Sequence, residues 1–364
     1  MQKKSDLVRS IFYCFVCVFV YSACDGIDPE PAPEPYIPGA NGVFILNEGN
    51  WGQNDAGILF YNFETGKPTT DIMNGQLGDT GQDMLIYGSK LYVAVNVSST
   101  ITVIDLASYN NWKQIPVFDN EKPREPRYLT TYSGKVYATT YDGYVVRIDT
   151  AKLEIDGIAK VGDNPDGIVA VDGKLYIANS GGYNRVILGT PPDSTLSVVD
   201  IAQFKQTDII KVGVNPYFVK ADKYGNIYVT YRGDYQDPSV PSGIQKIDTK
   251  THKVSDLPIA ANQKFDIMDD LLYFYGVTYD ANWKPSGSFG VYDIQKGALT
   301  SDPVVTDGTV IPSPYSIGVN PKTKDVYISD WEYPNKAKVY VFGQDGRKKN
   351  QLDAGIGANT FVFY

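Results

Sequence analysis

The chain is poor in the residues on which most hydrolases and transferases depend. Among its 364 residues there are only three cysteines and one histidine. Cys14, Cys17 and Cys24 all sit near the N-terminus, so beyond residue 24 there is no thiol for a disulfide, a nucleophile or a thiolate metal site. His252 stands alone in Asp248-Thr249-Lys250-Thr251-His252-Lys253, a polar turn after an apolar run, where a serine or cysteine nucleophile would find no partner. Positive charge is scarce as well. The net charge is −9, and residues 1–23 (Lys3, Lys4, Arg9 and Asp6) carry +2 of it, which leaves −11 for the remainder. Nucleic acid and anionic lipid surfaces, which attract clustered Lys and Arg, are therefore not expected partners. Long apolar runs are also missing: the longest, residues 11–21, is too short to span a bilayer.

That short run has a different use. It follows a basic stretch and precedes Ser22-Ala23-Cys24, the order found in secretory signals. Ser22-Ala23-Cys24 resembles a bacterial lipobox, with Tyr21 standing where an aliphatic residue is usual. The resemblance implies a signal peptide over 1–23, lipidation of Cys24 and an outer-membrane, surface-exposed location held by the lipid anchor alone. Residues 24–40 are acidic and alternate with proline (Asp28-Pro29-Glu30-Pro31-Ala32-Pro33-Glu34-Pro35), a composition that builds no core and reads as a tether. The folded domain is expected over 41–364.

Within it a short strand centred on an aromatic residue recurs seven times. The copies include Val43-Phe44-Ile45-Leu46, Leu91-Tyr92-Val93-Ala94 and Leu175-Tyr176-Ile177-Ala178, and the aromatic positions are 44, 92, 137, 176, 228, 273 and 327. A strand-only period of this length predicts an all-β, seven-bladed β-propeller with one four-stranded blade per repeat. Asp172-Gly173 is a tight-hairpin signal between a first and a second strand. Asp105, Asp149, Asp200, Asp248 and Asp293 each end a third strand, and each is expected to open the following turn through its carboxylate. The first aromatic strand has no partner segment in front of it. The C-terminal Gly357-Ala358-Asn359-Thr360-Phe361-Val362 matches Val214-Asn215-Pro216-Tyr217-Phe218-Val219, so the C-terminus is expected to supply the inner strand of the first blade.

The segment Val161 to Asn179 with Leu196 to Asp200 is similar to the YVTN-type, YncE-like propeller repeat. Combined with the lipobox, the acidic tether and Asn47-Glu48-Gly49-Asn50-Trp51-Gly52, it resembles a Bacteroidota surface-lipoprotein group that includes the BtuG-type proteins. That resemblance implies capture of cobalamin or another corrinoid and delivery to a TonB-dependent outer-membrane transporter. It transfers no contact residue and implies no cofactor.

The residues themselves indicate where a ligand would sit. In a propeller, the loops joining strands two to three and four to one emerge at one end of the ring. Three of the four tryptophans (Trp51, Trp283 and Trp331) fall in these loops. With them come Asn50, Gln82, Arg127, Tyr128, Tyr183, Asn184, Arg185, Tyr217, Tyr231, Arg232, Tyr235, Tyr315 and Tyr333. Flat aromatic faces with amide and guanidinium donors suit a large, neutral, amide- or hydroxyl-rich molecule. The second and third blades have short loops at Asn96 to Ser99 and Thr140 to Gly143, so an asymmetric bowl is expected. The same residue types also hold loops together, and a glycan, a protein partner or a scaffold role fits them too. A lactonase using Ca²⁺ bound by Glu48, Asp83, Asp166 or Asp330 is a further reading, although no spacing motif selects those carboxylates. The expectation is binding without catalysis and without a resident metal.

Overall fold

The computed structural model describes residues 41–364, so the signal segment, Cys24 and the tether lie outside the described residues. Seven four-stranded antiparallel sheets form the ring. From the inside outward, the first blade runs 358–363, 42–47, 57–62 and 67–68. The other six are continuous in sequence, with inner strands at 81–87, 126–132, 165–171, 216–221, 265–268 and 314–319. Each inner strand contacts the next around the circle, and 358–363 contacts both its neighbours, so the circle is closed. The expected exchange of the C-terminal strand is present. Val43 faces Phe363 and Leu46 faces Thr360 across an antiparallel ladder that leaves Gly42–Asn47 with partners on both edges.

The repeating aromatic strand is the second of each blade, and its apolar character follows from its position. It is paired on both edges and covered by neighbouring blades on both faces. Gly42–Asn47 is buried throughout, and Lys90–Val95 is buried from Leu91 onward. Phe44, Tyr92, Tyr137, Tyr176, Tyr228 and Tyr327 are all buried. Burying each such ring contributes about 1.5–3 kcal/mol, multiplied around the ring. The sixth blade departs from this pattern. Its second and third strands, Leu271–Tyr279 and Pro285–Asp293, are each nine residues long and project as a hairpin. There Tyr273 is only half-buried, and Tyr275 is the fully buried ring.

The five strand-ending aspartates have the expected role. The Asp149 carboxylate accepts from the amides of Ala151 and Lys152, and Asp248 accepts from those of Lys250 and Thr251. Asp105, Asp200 and Asp293 accept from Ala107, Gln203 and Lys296. Asp172 and Gly173 have φ of 46° and 74°, the pair of left-handed residues that a two-residue hairpin requires.

A second repeated device fixes the loop end. The amide just past the second strand donates to the carbonyl just before the inner strand. Instances are Asn96 to Thr80 at 2.8 Å, Tyr141 to Glu125 at 3.0 Å, Ser180 to Asn164 at 3.2 Å and Arg232 to Asn215 at 2.9 Å. Trp331 to Ser313 and Glu48 to Gly357, both at 2.9 Å, continue the series. Thr80, Glu125, Asn164, Asn215 and Gly357 all have positive φ, which turns the carbonyl toward its donor. These ties hold both loop sets at the same end of the channel in six of the seven blades.

Candidate binding site: a walled loop end above a closed neck

The first side chains of the inner strands meet at the centre of the loop end. Arg127 donates from Nε to Asp166 Oδ1 at 2.7 Å and from Nη1 to Gln82 Oε1 at 2.9 Å, joining the second, third and fourth blades. Burial opposes the Arg127 charge, but Asp166 and the surrounding tyrosines outweigh it and hold the guanidinium above its ordinary pKa. Tyr128 and Tyr217 share a hydroxyl–hydroxyl bond of 2.6 Å, and burial together with this neighbour keeps Tyr128 protonated well above the usual tyrosine range. The Arg232 guanidinium lies 3.2 Å from the centre of the Tyr217 ring, a cation–π contact. On the opposite side, the Tyr315 hydroxyl donates to Glu48, and Tyr275 donates to the Tyr315 carbonyl at 2.5 Å. These groups make a neck across the channel.

The long two-to-three loops surround that neck on the first, fourth, fifth, sixth and seventh blades, as expected; those of the second and third blades are short, although the four-to-one loop between these two carries a small hairpin, 118–119 with 122–123. The sequence-derived site residues divide into three groups. Gln82, Arg127, Tyr128, Tyr217, Arg232 and Tyr315 form the neck. Trp51 (80% exposed), Trp283 (81%), Tyr235 (73%), Tyr333 (69%) and Tyr183 stand on the rim with free faces. The remaining residues serve the loops. Asn50 binds both Asp55 oxygens with its backbone and side-chain nitrogens, at 2.6 and 2.9 Å. Arg185 pairs with the buried Asp234 and so joins the loops of the fourth and fifth blades. Asn184 begins the short helix Asn184–Leu188. Tyr231 is buried against Gly213 and bonds Asp256 at 3.2 Å. Trp331 is intermediate: its indole donates to the Asn335 carbonyl at 2.7 Å and its ring packs 4.7 Å from Tyr315, edge to face. Sequence reasoning missed Tyr141, whose ring lies 4.9 Å from the Arg127 guanidinium and 5.2 Å from the Tyr183 ring. Its signal was a lone aromatic flanking a short loop.

The four carboxylates considered for Ca²⁺ do not converge. Glu48 accepts from Tyr315, Asp166 from Arg127, Asp330 from the Ser313 amide and Asp83 from the Leu129 amide. Among the described residues no group of three or more His, Cys, Asp or Glu could hold a metal ion. Asp83 and Asp266 sit at a different level of the ring. They face the channel beneath the neck, where Asp83 caps the Leu129 amide and Asp266 the Val319 amide on the next blade round. His252 pairs with Asp208 at 3.1 Å in its strand-ending turn, at the end away from the bowl.

Seven blades around a neck spanned by side chains, with long loops on five of them, define an all-β, seven-bladed β-propeller. The chain belongs to the family described as Domain of unknown function (DUF5074), whose model matches residues 41–354. No curated protein matches its sequence. Among solved structures it is similar to a protein of unknown function from Desulfotomaculum acetoxidans, with a TM-score of 0.61 and 15% identity over 89% of this chain and 99% of that one. A protein provisionally described as a 6-phosphogluconolactonase from Bacteroides fragilis gives 0.60 and 13% over 91% and 100%. Another so described, from Bacteroides uniformis, gives 0.60 and 10% over 89% and 99%. At these identities the shared property is the fold.

Proposed function

We propose that the protein is a cell-surface capture protein, anchored through Cys24, whose loop end binds a large, neutral nutrient, a corrinoid such as cobalamin, for hand-over to an outer-membrane transporter. The observation that carries this reading is the pairing of a closed polar neck with free aromatic faces on the rim. Trp51, Trp283, Tyr235, Tyr333 and Tyr183 expose aromatic surface on loops at one end of the ring, and concentrations of exposed apolar surface mark interaction sites. Below them, Arg127, Arg232, Tyr128 and Tyr217 offer a rigid floor, because their side chains already hold one another. A broad planar ligand with amide arms suits such a floor and rim better than a slender one, which would leave the opposite wall dry of contacts. The neck groups are engaged with each other and none is placed as a nucleophile with a base, which supports capture without turnover.

Titration of the full-length protein with cyanocobalamin, followed by heat and by tryptophan fluorescence, tests this. Saturable binding at or below micromolar ligand, with a change in indole emission, is the expected result. No binding at that concentration would contradict the corrinoid assignment. Hydrolysis of a lactone panel that depends on added Ca²⁺ would contradict capture without turnover.

A further inference from the structure

The neck divides the ring into two compartments, and the lower one is a cavity in its own right. It has a volume of about 910 Å³ and is lined by the inner strands of all seven blades; of the neck residues only Tyr128 borders it, and Gln82, Arg127, Tyr217, Arg232 and Tyr315 do not. It therefore lies beneath the neck, away from the rim aromatics. We propose that this channel is a second binding site, separate from the loop-end bowl, for a neutral hydroxyl-rich molecule of the carbohydrate class.

The closed end of the cavity carries unused hydrogen-bonding capacity. Lys264, only 8% exposed, reaches across from the sixth blade to donate to the Asn359 carbonyl at 2.8 Å. Its ammonium lies 5.7 Å from the centre of the Tyr128 ring, and its one side-chain hydrogen bond among the described residues is that to Asn359. Two of its three protons are therefore free for a ligand. Asn359 is 2% exposed, and its Nδ2 is spent on the Gly81 and Gln82 carbonyls at 2.8 and 3.3 Å. Its Oδ1 has no hydrogen-bond partner among the described residues. An orphaned buried acceptor is destabilising, and this one lies in a residue that lines the cavity. Asp83 is the third member: one carboxylate oxygen takes the Leu129 amide, and Lys264 acts on the group electrostatically from a distance.

The charges select the ligand. Lys264 and Asp83 offset one another at the closed end, Lys220 and Asp266 pair at 2.5 Å farther along, and Lys322 is exposed, so an anionic head would meet a carboxylate and a cationic head an ammonium. A hydroxyl avoids both conflicts, because it accepts from the lysine through oxygen while donating to Asn359 Oδ1 or the carboxylate. Along the rest of the channel the half-buried rings of Phe218 and Phe361 alternate with polar side chains such as Thr130, Ser316 and Thr360. A polar end and aromatic flanks together match the two faces of a sugar ring, one bristling with hydroxyls and the other mostly C–H.

Calorimetric titration of the full-length protein with maltose and cellobiose, and with glucosamine and glucuronate as charged counterparts, tests the inference. Binding of at least one neutral disaccharide, at least tenfold tighter than either charged sugar, is expected. Thr130→Trp, a substitution at a half-buried channel-lining position, is expected to weaken that binding at least tenfold, whereas Trp51→Ala on the rim leaves it unchanged. In the unaltered protein, hydrogen exchange should slow in 314–319 and 358–363 when the disaccharide is added. No heat with either neutral probe at 10 mM, or slowing confined to the rim loops, would overturn the proposal.

Discussion

Replacing Asp83 by asparagine should stabilise the propeller, and increasingly so as pH rises. Burial in the channel pushes the Asp83 carboxyl up to about 6 from 3.8, although the Leu129 amide and the Lys264 and Lys220 ammonium groups pull the other way. A carboxyl whose pKa is higher in the folded than in the unfolded state holds its proton more tightly when folded. Stability therefore falls as pH rises between the two values. The cost is absent well below 3.8 and complete above 6. At 1.36 kcal/mol per unit the full cost is about 3 kcal/mol, and about 2 kcal/mol of it develops between pH 4 and pH 7.5. Asparagine keeps an oxygen for the Leu129 amide and cannot ionise, so Asp83→Asn removes the pH-dependent part alone. Urea unfolding of both proteins at the two pH values measures it. The variant is expected to gain about 2 kcal/mol on the unaltered protein between pH 4 and 7.5. An unchanged difference between the two proteins, or a gain toward low pH, would refute the reasoning.

Two further outcomes follow from the closed ring and the proposed anchor. Deleting residues 359–364 strips the partner from Gly42–Asn47, where Val43, Phe44, Ile45 and Leu46 are fully buried; at about 1.5–3 kcal/mol for each side chain, their exposure approaches the whole stability of a domain. Loss of the cooperative melting transition or aggregation is expected, and a truncated protein with the original transition would contradict the strand exchange. Cys24→Ala should release the protein from membranes with its melting temperature unchanged, and persistence in the membrane fraction through alkaline washing would contradict the lipid anchor.

Most of the architecture was legible in the sequence because the propeller repeats a local problem. Each second strand is enclosed on four sides, so Tyr92, Tyr137, Tyr176 and Tyr228 recur at intervals of 45, 39 and 52 residues, and five of the outer turns use the same aspartate. Strand exchange was legible because the segment 357–362 copies a first strand whose usual place, ahead of Val43, was empty. The neck was not legible. Arg127, Asp166 and Gln82 come from three blades, and their meeting depends on the angle between blades, which no local pattern encodes. The offset of Asp83 also has a local cause. The ladder from Gly81 to Asp83 skips a position, as it does from Pro126 to Leu129, and a one-position shift at the top of an inner strand decides whether a side chain faces the bowl or the channel. Lys264 was overlooked because a lysine before a strand reads as solvated, whereas here its length lets it cross the channel.

The bowl itself is tested most directly by the affinity of the rim variants for cyanocobalamin, measured beside their melting temperatures. Trp51 and Trp283 have free faces, and their loops belong to the first and sixth blades, on either side of the blade that carries Trp331. Trp51→Ala and Trp283→Ala should each weaken binding by about 1–3 kcal/mol, the range for an aromatic anchor, with melting almost unmoved. Trp331→Ala should lose affinity and some stability together, since its ring and indole nitrogen already hold the loop. Unchanged affinity in both Trp51→Ala and Trp283→Ala would contradict a ligand-binding bowl at the loop end.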